Sequence, residues 1–505
     1  MNAKDTTAFV EIFIPKELIE INSILEKKGF EAYLIGGCVR DLLLNRKPKD
    51  WDITTNARPE QIMATFPETF YENDFGTVGV VNKTTDETLR VVEITPYRLE
   101  TTYSDNRRPD KIEFSPNLED DLKRRDFTIN AIALKIEPKD LKKGLCKATI
   151  IDLYGGIQDL HKGIIRSVGD PNERFGEDAL RVLRAVRIAT EIDFKIEDET
   201  KAGILNNAKL LKNISPERIR DEFIKIISSE RPMEGIQLVQ SLCLMGCISP
   251  EIEQGIGVNQ NQAHAFDVWE HLLRTLQYSA KKEFSLEVRL SALFHDIGKP
   301  ASRRWSKEKK DWTFHGHDVI GAKITAKIMA KLRFPAKITD KVVKLVRWHM
   351  FFSDTEVITL SAVRRMVMRV GPENIWDLMN LRACDRIGTG RPKESPYRLR
   401  KYHSMIEEAM RDPVSVTNLK IDGKEIMEKT GIKPGPKIGF ILNALLEEVL
   451  EDATRNKNDW LSNRVLELSK LTDKELEQMG KKAKSSKEKR EESEINTIRK
   501  KYWVK

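Results

Sequence analysis

The chain has 505 residues, 40% of them hydrophobic and 32% charged, with a formal net charge of +8 and a pI near 8.9. This length is too great for one hydrophobic core and implies about three or four domains. No apolar run has bilayer length, which excludes a spanning helix and any membrane partner. The mild basic excess permits a nucleic-acid partner without establishing one. Five scattered cysteines, at 38, 146, 243, 247 and 384, point to a reducing, cytoplasmic location. Met1-Asn2-Ala3-Lys4-Asp5 does not read as a signal peptide. Cys243 and Cys247 lie at helical spacing, so a buried helix face is expected there rather than a metal site.

The first informative segment ends an apolar run, Leu34-Ile35, with Gly36-Gly37 and then opens a helix carrying Arg40 and Asp41. Glycines let a backbone approach phosphates, and a helix N-terminus offers them free N–H groups. Lys49-Asp50-Trp51-Asp52-Ile53 follows. In an extended strand, residues two apart share a face, so Asp50 and Asp52 are expected to bind hard divalent cations together. Val78–Val81 and Leu89–Ile94 read as paired strands around a polar turn. Ile129–Leu134 and Thr149–Leu153 are strand or short-helix candidates. Arg124-Arg125-Asp126-Phe127-Thr128-Ile129-Asn130 offers guanidinium groups for triphosphate oxygens and an aspartate for a ribose hydroxyl. These segments together suggest metal-assisted nucleotidyl transfer.

From about 173 to 250 the pattern is helical. In Arg174-Phe175-Gly176-Glu177-Asp178-Ala179-Leu180-Arg181, continuing through Arg184 and Arg187, Asp178 and Arg181 are three apart and are expected on one helix face. The pair is either an intrahelical ion pair or a base selector. Cytosine and adenine both pair an exocyclic amine with an unprotonated ring nitrogen. A carboxylate accepts from the first and a guanidinium donates to the second, whereas guanine and uracil leave both groups unpaired. Ser215-Pro216 reads as a helix start with Ser215 as N-cap.

These four segments, in this order, resemble the class II tRNA nucleotidyltransferases, the CCA-adding enzymes, within the superfamily shared with poly(A) polymerases. The resemblance covers roughly residues 30–250. It implies that Asp50 and Asp52 hold two Mg²⁺ ions, with Glu93 as a further carboxylate. It implies that Gly36, Gly37 and Arg40 contact the triphosphate. Arg125, Asp126 and Asn130 would contact ribose and phosphate, and Asp178, Arg181 and Arg184 the nucleotide. Glu100–Pro109 resembles the family's flexible loop, which favours a complete CCA-adding enzyme over a CC-only one. The implied partners are tRNA, CTP and ATP, as monomer or homodimer.

The stretch from about 260 to 390 is helical and holds six of the eight histidines. His295-Asp296 stands beside Lys299, with His271, His317, His349 and Asp385 around it in sequence. Imidazoles and carboxylates together suit transition metals. This region resembles the HD phosphohydrolases. The resemblance implies that His271, His295, Asp296 and Asp385 are core ligands of a divalent metal such as Ni²⁺, Mn²⁺, Co²⁺, Fe²⁺ or Zn²⁺. His317 and His349 would extend the set to a second ion. His315 and His264 are weaker candidates, and Lys299 is a candidate phosphate contact. Such a domain would hydrolyse 2′,3′-cyclic phosphates or phosphomonoesters at tRNA ends.

The expected fold is α+β, with a mixed β-sheet in an N-terminal nucleotidyltransferase head (1–155). A helical neck (156–258), the HD domain (259–390), a helical tRNA-binding body (391–479) and a charged tail (480–505) follow. The tail reads as a solvated helix or disordered. The alternatives are a poly(A) polymerase, an A- or CC-adding specialist, or an HD phosphohydrolase whose silent nucleotidyltransferase fold only binds RNA.

Overall fold

The computed structural model describes residues 8–72, 76–101, 111–137, 145–261, 265–350, 358–410, 419–451, 455–472, 474–476 and 495–504. His264, most of the Glu100–Pro109 loop and residues 480–494 of the tail lie outside these. The chain divides into two compact units. One runs through His349 and includes Asn380–Pro392, and the other comprises Met350–Met379 with Lys393 onward.

In the first unit the head is built from β1 (Ala8–Phe13), β2 (Ala32–Ile35), β3 (Asp52–Thr55), β4 (Thr69–Tyr71), β5 (Val78–Val81), β6 (Val91–Pro96), β7 (Arg98–Thr101), β8 (Lys111–Phe114), β9 (Ile132–Glu137) and β10 (Leu145–Asp152). Eight of them form one mixed sheet in the order β1-β10-β9-β2-β3-β6-β5-β4, and β7 and β8 form a separate hairpin. Within the large sheet only β3 and β6 run parallel. The Ala-Tyr-Leu-Ile of β2 is buried along its whole length, as its unbroken apolar run requires at the middle of a sheet. In β6, burial alternates. Val92 and Ile94 enter the core, and Glu93 is left on the other face. Helices α1 (Lys16–Lys27), α2 (Gly37–Leu43), α3 (Pro59–Thr65) and α4 (Leu118–Lys123) interleave with these strands.

Helices dominate afterwards, beginning with α5 (Gly156–Lys162), α6 (Pro171–Glu177), α7 (Arg181–Ile192), α8 (Asp198–Asn207), α9 (Pro216–Ser228), α10 (Pro232–Ser241), α11 (Met245–Ile248) and α12 (Pro250–Glu253). A two-residue parallel pair joins β11 (Ile164–Ile165) to β12 (Lys195–Ile196). Pro216 takes the first position of α9, but the Ser215 side chain makes no capping bond. Cys243 departs from the expected buried helix face. It adopts φ +57° in the turn between α10 and α11 and is exposed. The histidine-rich part contains α13 (Val268–Lys281), α14 (Leu286–Phe294), α15 (Lys299–Ser302), the hairpin β13 (Arg304–Ser306) and β14 (Asp311–Thr313), α16 (His317–Lys331) and α17 (Ala336–Trp348). Asp267 caps α13 by accepting from Glu270 N, and Ser285 accepts from Val288 N at the start of α14. Such caps contribute about 1 kcal/mol each. One hydrophobic cluster runs from Leu34 and Ile53 through Val182, Leu183, Phe223 and Ile226 to Leu290, Phe294 and Val346. The head, the neck helices and the histidine-rich helices therefore share a core.

The second unit holds α18 (Leu360–Val370), α20 (Tyr397–Met410), α21 (Gly423–Thr430), α22 (Pro436–Glu451) and α23 (Asn458–Ser469), and α19 (Ile375–Gly388) crosses the boundary. Its core gathers Leu419, Ile426, Ile441, Leu445, Leu461, Val465 and Leu468. Residues 495–501 are helical and pack on α20, with Lys501 paired to Glu407, Arg499 to Glu408, and Tyr502 O accepting from Arg400 Nε. The described end of the charged tail is thus a docked helix.

Candidate nucleotide and metal sites

The head site starts at the β2–α2 turn. Gly36 has φ +82° and ψ −140°, a conformation open to glycine and hostile to any residue with a Cβ. A Cβ there would also stand 2.9 Å from Arg125 Nη1 and 3.3 Å from Asp52 Oδ2. The bare backbone is what lets a cation and a carboxylate meet at this turn. Gly36→Ala is expected to cost about 1–3 kcal/mol of stability and to lower nucleotide incorporation far more than thermal melting. Unchanged steady-state incorporation would contradict this placement.

Asp52 opens β3 and lies in register beside Glu93 on the parallel strand β6. Asp50 does not share that strand. It sits in the bend just ahead of β3, whose pairing with β6 begins only at Asp52. The two aspartates are therefore not brought together by strand periodicity. They interact through the field: burial first, then Glu93 and Asp50, push the Asp52 carboxyl up to about 7 against the pull of Arg125 and Arg184. Burial, Glu72 and Asp50 raise Glu93 as well. Asp52 and Glu93, two hard-oxygen donors on adjacent strands that both resist ionising, with Asp50 just ahead of them, fit a divalent cation, which would relieve their repulsion.

This has a measurable sign. A carboxyl whose folded pKa is raised stabilises the fold below its unfolded pKa, near 4, and that contribution is lost as pH rises through about 7. Asp52→Asn should therefore melt above wild type at pH 8.5 in chelator, by on the order of a few kcal/mol, and match it near pH 4. Added Mg²⁺ should raise the wild-type Tm more than that of Asp52→Asn. A wild type more stable than the variant at pH 8.5 in chelator would contradict the crowding.

Around the acids runs a train of side chains. Arg40 donates through Nε and Nη2 to Asp41 Oδ1 (2.9 and 2.7 Å) and through Nη1 to Asn130 Oδ1 (3.1 Å). Asn130 Nδ2 donates to Asp126 Oδ1 at 3.1 Å, and Arg184 Nε donates to Asp126 Oδ2 at 2.8 Å. Although Asp126 is buried, Arg184 and Asn130 hold its carboxyl well below the usual range. Arg125 Nη2 donates to Asp121 Oδ2 at 3.2 Å, and Arg124 Nη2 to Asp121 Oδ1 at 2.6 Å. The predicted residues Gly36, Arg40, Asp52, Arg125, Asp126, Asn130 and Arg184 are thus brought together. Gly37 begins α2 with its Cα 's missing side chain facing Arg40, whose Nη2 would lie 3.7 Å from a Cβ.

Asp178 and Arg181 are not on one helix. The first helix ends at Glu177, Asp178 is extended (φ −133°, ψ 103°), and α7 begins at Arg181. The aspartate prefers this junction because its Oδ1 accepts from Leu180 N at 3.0 Å, a local bond that a helix interior would not allow. Asp178 Oδ2 pairs with Arg218 Nη2 at 2.9 Å. Arg181 Nη1 donates to Glu177 Oε2 and Arg174 O, and its Nη2 to Arg124 O. Each group is thus held by partners other than its expected mate. Arg218 and Asp121 escaped sequence reasoning. Asp121 carried a signal, its i,i+3 and i,i+4 spacing to Arg124 and Arg125, whereas Arg218 lies 40 residues from Asp178 and gave none.

The histidine cluster is compact and buried. His271 Nε2 and His295 Nε2 lie 3.2 and 3.3 Å from Asp296 Oδ2, and 3.3 and 3.6 Å from Asp385 Oδ1. His317 Nε2 and His349 Nε2 lie 3.2 and 3.5 Å from Asp296 Oδ1. Two donor groups therefore share one carboxylate: His271, His295, Asp296 and Asp385 form the first, and Asp296, His317 and His349 the second. The Nδ1–H groups of His295, His317 and His349 donate to the carbonyls of Ala292, Phe314 and Val346, which turns each Nε2 lone pair inward. Burial alone would lower His295, but Asp296 and Asp385 raise it to about 10. The nitrogen-rich donor set suits a borderline transition metal. Arg382 Nη1 orients Asp385, and Lys299 Nζ bonds both Asp296 Oδ2 and Gln260 Oε1. His315 is exposed and stands outside the cluster.

Three family models match the chain: the Poly A polymerase head domain over residues 32–166, the probable RNA and SrmB-binding site of polymerase A over 193–256, and the HD domain over 268–387. The chain is 33% identical over 441 residues to the CCA-adding enzyme of Ligilactobacillus salivarius, covering 86% of this chain and 93% of that one. With the CCA-adding enzyme of Lactobacillus helveticus it shares 31% identity over 453 residues, 89% and 96% of the two chains. The crystal structure of the Bacillus stearothermophilus CCA-adding enzyme in complex with CTP superposes with a TM-score of 0.57 at 27% identity, over 90% of this chain and 96% of that one.

Proposed function

Because the chain belongs to the CCA-adding enzyme family and carries an HD domain, we propose that its head adds C, C and A to tRNA 3′ ends from CTP and ATP without a nucleic-acid template. The observation that carries this reading is the crowding of Asp52 against Glu93 on adjacent strands, beside the Gly36 turn that admits Arg125. Asp50, Asp52 and Glu93 would hold Mg²⁺. Such ions, when bound, neutralise the triphosphate and make the attacking 3′-hydroxyl more acidic. Arg125 and Arg40 would contact triphosphate oxygens in place of the bonds they now make to Asp121 and Asp41. Asp126 and Asn130 would take ribose hydroxyls.

Base choice is assigned to Asp178 and Arg181. Arg218 fixes the Asp178 carboxylate, and Glu177 with two carbonyls fixes the Arg181 guanidinium. A rigid acceptor and a rigid donor, both held in place by other partners, are what discrimination by pairing edge requires. Arg181→Ala and Asp178→Ala should each lower CTP and ATP use by about 10²-fold and relax rejection of UTP and GTP. Single-nucleotide incorporation assays read both effects. A variant that keeps full selectivity would remove these residues from the selector. Supplying tRNAs that end before C, after C or after CC separates the complete enzyme from an A-adding, CC-adding or poly(A)-forming specialist.

The histidine cluster supports a metal-dependent phosphohydrolase acting on 2′,3′-cyclic phosphates or phosphomonoesters at RNA ends. Asp296 would bridge two ions and Lys299 would face the phosphate. Hydrolysis of a 2′,3′-cyclic nucleotide by protein loaded with Ni²⁺, Mn²⁺, Co²⁺, Fe²⁺ or Zn²⁺ tests this. The proposed domain limits are those at 155, 258, 390 and 479, with a cytoplasmic location.

A further inference from the structure

Between α15 and α16 the chain forms the β13–β14 hairpin, and both of its ends are tied to the histidine cluster. At one end Lys299 bonds Asp296 Oδ2. At the other, Phe314 follows β14 directly, gives its carbonyl to His317 Nδ1, and sets its ring 5.5 Å from Lys299 Nζ. On the hairpin, Trp305 and Trp312 are cross-strand partners in an edge-to-face pair, with centroids 5.1 Å apart. The Arg303 guanidinium lies 3.7 Å from the Trp312 ring. Trp305 is 54% exposed, which a pair serving only to close the hairpin would not need. Arg303, Arg304, Lys307, Lys309 and Lys310 outnumber Glu308 and Asp311 in the same stretch.

An exposed indole on a basic two-stranded arm is the chemistry that binds unpaired nucleotides: base stacks on ring, and phosphates lie along the cations. We propose that the hairpin is a stacking platform for a single-stranded RNA 3′ end and directs its terminal phosphate toward the histidine cluster. The proposal rests on the phosphohydrolase reading of that cluster for its purpose, but binding can be measured without turnover. A protein ligand would not need the basic excess, and a duplex would keep its bases stacked away from Trp305.

The test uses the full chain in EDTA and an RNA pentamer ending in a 2′,3′-cyclic phosphate, followed by tryptophan fluorescence. Trp305→Ala should weaken binding about tenfold, and Trp305→Phe should restore most of it. Replacing Lys307, Lys309 and Lys310 together by Ala should flatten the salt dependence of binding by about two units of slope. In metal-loaded protein, Trp305→Ala should raise KM for the pentamer about tenfold, again from the lost stacking, while hydrolysis of bis(p-nitrophenyl) phosphate, which offers no base, stays at the wild-type rate. Wild-type affinity in Trp305→Ala, or equal affinity of the wild type for a blunt duplex, would overturn the platform. If Trp305→Ala binds the pentamer weakly and the wild type hydrolyses neither compound with any metal, the platform stands and the phosphohydrolase reading falls.

Discussion

Replacing Asp50 and Asp52 together by alanine is expected to abolish incorporation of CTP and ATP into tRNA, by about 10³-fold or more, which corresponds to some 4 kcal/mol of transition-state stabilisation. The size follows from the setting. Asp52 is only half-buried, yet desolvation and the neighbouring acids push its carboxyl up to about 7, so it is a costly residue to keep unless a cation uses it. Glu93 alone could not hold two ions from the neighbouring strand. The double variant should retain its fold, because removing repelling acids relieves the site. It should also retain hydrolysis of a 2′,3′-cyclic nucleotide at the histidine cluster. Circular dichroism and the two activity assays on one preparation check all three outcomes. Residual incorporation within tenfold of wild type would move the chemistry elsewhere.

Asp296→Ala should have the opposite selectivity. All four inward-facing imidazoles lie within 3.2–3.5 Å of one or other Asp296 oxygen, and Lys299 bonds the same carboxylate. No other described residue belongs to both donor groups. Its loss leaves a buried ammonium and four imidazoles without their shared anion. Bound transition metal, measured by elemental analysis, should fall to background. Phosphohydrolysis should fall by about 10³-fold or more, and CCA addition should persist. His317→Ala, by contrast, touches only the second donor group and should remove the ion held there while sparing the other. Equal metal content in Asp296→Ala and wild type would show that the carboxylate does not bridge.

Local spacing made part of this legible. The glycine turn, the Asp50-x-Asp52 pair and the His295-Asp296 dyad are short-range features, and their residue types name their chemistry. What the sequence could not show is set by long-range pairing. Arg40 meets Asn130 across 90 positions, and Asp126 meets Arg184 across 58. No periodicity encodes such contacts. Helical spacing also misled at Asp178 and Arg181, where an aspartate that bonds the next turn's N–H ended one helix and began another. The same error placed Cys243 on a helix face, although a left-handed turn intervenes. Strand periodicity failed at Asp50 because the β3–β6 pairing starts only at Asp52, leaving Asp50 in the bend ahead of it. Strand segments in the head and the helical regions after them followed from apolar patterning, whereas the order of the sheet and its one parallel pair did not. The docking of residues 495–504 on α20 did not, because the preceding run of Lys and Glu hides the few residues, such as Tyr502 and Val504, that pack.

The most direct measurement is the stoichiometry of labelled nucleotide transferred to a tRNA that lacks its last three residues, with Mg²⁺ and each triphosphate alone or in combination. With CTP alone the chain should add two residues and stop, and ATP should then add one. No transfer by the wild type, transfer of UTP or GTP at a comparable rate, or an open-ended run of A would each contradict a head that builds CCA.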